Sequence, residues 1–135
     1  MNDIQTRDDV YILVSTFYRH VRSNNILGPI FNRHIENDKW PAHINKLTDF
    51  WMTGLFGVIC FKGNPTETHR HVDKNLNHTI DVKHFNSWLN LWFSTIDGLF
   101  EGPIANRAKE ASRKMAEGQY KAIYKVRPKN NQEIN

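Results

Sequence analysis

Cysteine is almost missing from this chain: Cys60 is the only one in 135 residues. One thiol closes no intramolecular disulfide, so a small disulfide-stapled secreted scaffold is excluded. There is no CxxCH run either, which excludes a cofactor attached through cysteine thioethers. No uninterrupted apolar stretch approaches the ~20 residues that a membrane span needs. The opening residues, MNDIQTRDDV, are polar and acidic, where a signal peptide needs a basic lead and an apolar run. These absences point to a reduced, cytoplasmic protein outside the membrane. Charge of one sign is also not concentrated. The 18 Lys and Arg exceed the 14 Asp and Glu for a net +4, but they are scattered. The densest group, Lys121, Lys125, Arg127 and Lys129, reads as a solvated end. No recognition helix accompanies it, so a nucleic-acid partner is not expected.

What is present suits a globular domain. Hydrophobic residues make up 39% of the chain, enough for a core. A chain of this length buries roughly two thirds of its unfolded surface, and the length fits a single domain over 1–135, with a basic tail from about residue 125. Aromatic residues are generous at 12%, with four Trp, four Tyr and eight Phe. Such a stock of flat rings suggests a pocket or core built on them.

Helical periodicity dominates, and nothing reads as a strand. Thr6-Arg7-Asp8-Asp9 fits a capping box ahead of Val10, Leu13, Val14, Phe17 and Val21, which share one face. Gly28-Pro29 is expected to break that helix. A second helix is predicted from about Lys39 to Cys60, with Trp40, His43, Ile44, Leu47, Phe50, Trp51 and Leu55 at helical spacing, stopped by Lys62-Gly63-Asn64-Pro65. Asn64 as cap, Pro65 at the first helical position and Glu67 three residues after the cap then open a short helix carrying His69. Residues 72–80, VDKNLNHTI, are polar and irregular and keep it short. Asp81 caps a fourth helix whose face is Phe85, Trp88, Leu89, Trp92, Ile96 and Leu99. Gly102-Pro103 breaks it and starts a last one with Ile104, Ala108, Ala111 and Met115. The fold class is all-α.

The residues that carry chemistry are histidines and a tyrosine, and each has an ordinary reading. His69 alone is an exposed helical histidine by about three to one. His43, in line with Leu47 and Phe50, is a core histidine. Tyr18, on the Tyr11-Val14-Tyr18 flank, packs its ring and sends its hydroxyl to solvent. His71 lies about 200° around the helix from His69 and cannot share its face. His69, His71 and His78 are close enough in sequence to suggest a zinc-binding helical module, although no cysteine or HExxH motif supports one.

Five pieces in order nevertheless match one family. Phe17-Tyr18, Val21-Arg22 and Leu27-Gly28-Pro29-Ile30-Phe31 resemble a first-helix signature. Trp40, His43 and Phe50-Trp51 fit a distal-helix spacing, and Gly63-Asn64-Pro65 followed by His69 fits a proximal segment. His84-Phe85-x-x-Trp88-Leu89-x-Leu91-Trp92 and Thr95-Ile96-Asp97 through Phe100-x-Gly102 complete the series. From about Val10 to Ala116 the chain resembles a truncated haemoglobin of group III, the group without the glycine-rich motifs of the others.

That resemblance implies a truncated globin, a two-over-two helical sandwich around haem b (iron protoporphyrin IX). It implies His69 as proximal iron ligand, with Tyr18, His43 and Trp88 on the distal side. Phe31, Leu47 and Phe50 would lie against the porphyrin, and Lys46 near a propionate. Phe61 departs from the family, standing where many relatives carry tyrosine. The implied ligands are O2, NO and CO. A distal donor stabilises such a ligand by roughly 0.5–1.5 kcal/mol, up to tenfold in affinity. Oxygen binding is the first reading. Peroxidase-like or NO dioxygenase chemistry is the alternative, since a distal histidine moves protons between oxygens. A reductase partner and a monomeric state accompany it.

Overall fold

The computed structural model describes residues 1–128. The capping box forms as the sequence predicts. Thr6 Oγ1 accepts from the Asp9 N–H at 3.1 Å, and the Asp9 carboxylate accepts in return from the Thr6 N–H at 3.1 Å. From this cap helix α1, Arg7–Ser23, buries Val10, Leu13, Val14, Phe17, Tyr18 and Val21. Asn24 ends it and turns the chain, its side-chain oxygen accepting from the Ile26 and Leu27 N–H groups at 2.9 Å.

Gly28-Pro29 opens a helix instead of only breaking one. Proline in a first turn lacks an N–H that the helix does not need there, and α2 runs Gly28–His34. Gly28 is required by close approach: a Cβ there would stand 2.7 Å from the Arg22 carbonyl oxygen. One turn of 3-10 helix, Asn37–Lys39, leads into α3, Trp40–Phe56. This helix is shorter than its predicted span to Cys60. Gly57 adopts φ +70, the left-handed conformation that terminates helices without a side-chain penalty.

Asn64 caps α4, Pro65–Asn75, accepting from the Glu67 N–H at 3.1 Å. The helix continues past the polar residues that were expected to end it, because Asp73 is buried and bonded within the fold. Asn77 and His78, both at positive φ, make the turn that follows. Asp81 caps α5, Val82–Leu99, and α6 is Pro103–Lys125. The cap of α6 comes from the other end of the chain: the Asp3 carboxylate accepts from the Ile104 and Ala105 N–H groups at 2.9 and 2.8 Å.

These helices form a two-over-two sandwich. α1 packs on α3, α5 packs on α6, and α1 crosses α5 to join the pairs; α4 packs on α6 and α2 on α1. Aromatic rings fill the crossing. Trp51 of α3 stacks on Trp92 of α5 at 4.7 Å, Trp92 stacks on Trp88 at 5.9 Å, and Phe17 of α1 meets Trp92 edge-on at 4.9 Å. Trp92 is fully buried, and its indole N–H donates to the Ala108 carbonyl at 3.4 Å. Among the described residues there is no strand, and no helix is long and apolar enough to cross a membrane.

Candidate functional site

α1, α2 and α3 converge on one cluster of rings. The Tyr18 ring lies 5.6 Å from His43, 5.8 Å from Trp40 and 5.7 Å from Phe31. Tyr18 does not send its hydroxyl to solvent, because the residue is 7% exposed. Burial pushes its pKa well above the ordinary tyrosine range, while the Trp88 indole N–H pulls the other way. The hydroxyl therefore stays protonated and keeps a proton to donate.

His43 faces this tyrosine from α3. Its Nε2 atom is buried and has no hydrogen-bond partner, and the same holds for Trp40 Nε1 beside it. A buried polar atom without a partner costs roughly 1–3 kcal/mol, so an orphan here marks a place suited to a polar guest. Burial, helped by the charge of Lys46, lowers the His43 pKa to about 4, so the ring is neutral at physiological pH. The unfolded chain takes up this proton near the ordinary value of 6.5, whereas the folded chain resists it. The contribution of His43 to stability is thus fully present above about pH 6.5 and is lost as pH falls toward 4. An NMR titration of the His43 ring in the protein without added ligand checks this, with a midpoint near 4 expected and one at 6.5 excluding it. His43 also borders an open cleft of about 360 Å³ lined by His34, Ile35, Glu36 and Lys39.

His69 lies in a second environment, between α4 and α6. Its Nδ1 is 3.1 Å from Gln119 Oε1, and the other end of that amide donates to Thr66 Oγ1 at 3.3 Å. Burial lowers the His69 pKa, and the Gln119 bond opposes that shift without reversing it. The lowered pKa favours the neutral ring, and the group that faces Nδ1 is an amide oxygen, which can only accept. An iron-binding imidazole needs this arrangement, because the metal takes one nitrogen and a hydrogen-bond acceptor orients the other. Gln119 was missed in the sequence. The available signal was a polar residue on the inward stripe of α6, between buried Ala116 and Ile123.

The remaining candidates lie on α2, α3, α5 and the loop after α3. Leu47 and Phe50, one and two turns beyond His43 on α3, are half-buried, as are Phe31 and Trp88. Phe61 meets Phe50 edge-on at 5.1 Å. Lys46 is exposed and reaches across to the loop at Gly63, where a Cβ would lie 3.4 Å from its ammonium nitrogen. The chemistry of these side chains, half-buried apolar groups, an imidazole whose buried Nε2 has no partner and a nearby cation, is of the kind that a flat, largely apolar group with acidic edges requires.

The other histidines do not join His69. His71 is exposed and pairs with Asn75 at 3.3 Å. His78 Nδ1 is 3.2 Å from the Asp73 carboxylate and is committed to that contact. Among the described residues no three His, Cys, Asp or Glu side chains come together to hold a metal, which removes the support for a zinc module. The basic tail is partly structural: Arg127 donates to Asp73 at 3.0 and 3.2 Å. Lys129 lies outside the described residues.

No family model matches the chain. Its sequence is 25% identical over 121 residues to the group 3 truncated hemoglobin ctb of Campylobacter jejuni, covering 88% of this chain and 91% of that protein. The crystal structure of a group III truncated hemoglobin from Campylobacter jejuni superposes with a TM-score of 0.82 at 24% identity, covering 95% of this chain and 99% of that one. The chain therefore has the truncated-globin fold, and its resemblance to the group III truncated haemoglobins extends over nearly its whole length.

Proposed function

We propose that this chain is a single-domain haem b protein that reversibly binds O2 and other diatomic ligands such as NO and CO. His69 is the proximal iron ligand, and Tyr18 and His43 act on the bound gas. The observation that carries this reading is the buried, unpartnered Nε2 of His43 beside a buried and protonated Tyr18 hydroxyl. When bound, the haem supplies an iron centre that takes a diatomic ligand.

The chain's own residues then do the rest. His69 holds the cofactor through Nε2 while Gln119 occupies Nδ1. Phe31, Leu47 and Phe50 would offer apolar surface to the cofactor, and Lys46 would pair with a propionate. That pair is exposed and contributes only about 0–1 kcal/mol. The Tyr18 hydroxyl would donate to a bound gas, with Trp88 beside it on the same side. A neutral His43 is also a proton acceptor, which favours peroxide turnover as the second reading. A reductase that keeps the iron ferrous, and a monomeric chain in solution, complete the proposal.

The test is an absorption spectrum of the purified ferric and ferrous protein. A sharp Soret band is expected, and a preparation that stays colourless after haemin is added overturns the reading. Tyr18→Phe removes one buried donor while keeping the ring. Haem is expected to be retained and O2 release to speed up by as much as roughly tenfold, the value of one hydrogen bond. Stopped-flow measurement of O2 dissociation reads this, and an unchanged rate removes Tyr18 from the distal role. Turnover with peroxide, compared between the native chain and His43→Leu, separates the second reading from the first.

A further inference from the structure

We propose that Gln119 is the positioning residue that holds His69 in its Nδ1–H tautomer, so that the lone pair lies on Nε2. The inference rests on the reading of His69 as the iron ligand and names what prepares it for that role.

A neutral imidazole carries one N–H, and the group facing each ring nitrogen decides where it sits. Gln119 Oε1, at 3.1 Å from Nδ1, accepts only, so the proton belongs on Nδ1. Were the amide turned end for end, its NH2 would face Nδ1 and demand a lone pair there. The ring proton would then move to Nε2 and block coordination. The orientation of one amide thus separates a binding imidazole from a blocked one.

Two features hold the amide. Its nitrogen donates to Thr66 Oγ1 at 3.3 Å, and Thr66 and His69, three residues apart, share the face of α4 that meets α6. A single α6 side chain therefore bridges both. Its backbone is anchored between buried Ala116 and Ile123. One turn on, the Arg70 guanidinium donates to the Ala122 carbonyl at 3.2 Å, which ties the same helix pair together again. Gln119 is neutral, so it orients the ring without pulling its proton away as a carboxylate would.

The tautomer is read first on the 15N-labelled full chain without haem, by two-bond 1H–15N correlations of the His69 ring. The native chain is expected to show Nδ1–H. Gln119→Leu is expected to shift the ring toward Nε2–H or a mixture, and Gln119→Glu, which only accepts, to keep Nδ1–H. The haem-loaded proteins give a second reading through the ferrous iron–histidine stretch in resonance Raman. Its frequency is expected to rise in the order Gln119→Leu, native, Gln119→Glu. A native ring protonated on Nε2, or a tautomer and stretch that ignore both substitutions, overturns the proposal. If Gln119→Leu does not fold, the native tautomer and the Gln119→Glu shift still decide it. Failure of the haem reading is separate, and shows as a fixed Nδ1–H tautomer in a protein that takes up no haem.

Discussion

His69→Ala is expected to abolish stable haem retention, with the Soret band lost on gel filtration while the helical circular dichroism persists. Losing a residue that merely supports a metal ligand weakens a site roughly 10–100-fold, and losing the ligand itself should exceed that. Two controls make the result specific. His69→Gly with imidazole added in solution is expected to regain a coordinated haem, because the ring's chemistry is restored without its tether. His78→Ala is expected to keep haem, since His78 is occupied by Asp73 at 3.2 Å. If His78→Ala loses the cofactor and His69→Ala does not, the assignment of the proximal residue is wrong.

Asp73→Ala carries the largest expected cost in stability. The Asp73 carboxylate is 2% exposed and the Arg127 side chain 7%. It accepts from Arg127 twice, from the Ile80 N–H at 3.1 Å and from His78. Arg127 also donates to the Ile80 carbonyl. Burial alone would raise the Asp73 pKa, but Arg127, His78 and the Ile80 N–H outweigh it and hold the carboxyl below the usual range. Removing it leaves the Arg127 guanidinium without its counter-charge and the Ile80 N–H without its acceptor. Breaking a buried pair from one side typically costs about 3–5 kcal/mol, and urea denaturation is the measurement. A cost below about 1 kcal/mol would show that the pair adds nothing. Asp73→Leu combined with Arg127→Met should recover part of the loss, because neither charge is then left alone. The folded carboxyl titrates below the unfolded one. Its contribution is therefore present above pH ~4 and is lost as pH falls through the folded value. The same pair ties the end of α4, the His69 helix, to the residues just after α6, so the Asp73→Ala protein is also expected to release haem faster.

The parts of the fold readable from the sequence are those where local signals and burial agree. α1, α3, α5 and α6 each repeat apolar residues every three or four positions, and Thr6, Asn64 and Asp81 mark helix starts with caps that form. Misread segments are short or held from a distance. α2 has seven residues and the 3-10 turn three, too few to display a period. The extension of α4 to Asn75 depends on Asp73, whose burial follows from Arg127, 54 residues away.

The candidate site divides the same way. By itself the sequence singled out the candidate residues, the imidazoles of His69 and His43 and the hydroxyl of Tyr18, set on helices whose phase local spacing fixes. Only the tertiary structure decided what those groups face. It buried Tyr18, left His43 Nε2 without a partner, and brought Gln119 from 50 residues away to His69 Nδ1. The physical reason is range. Helix phase and capping act over three or four residues, whereas burial and hydrogen-bond partnership depend on which helices pack together, and no local pattern encodes that.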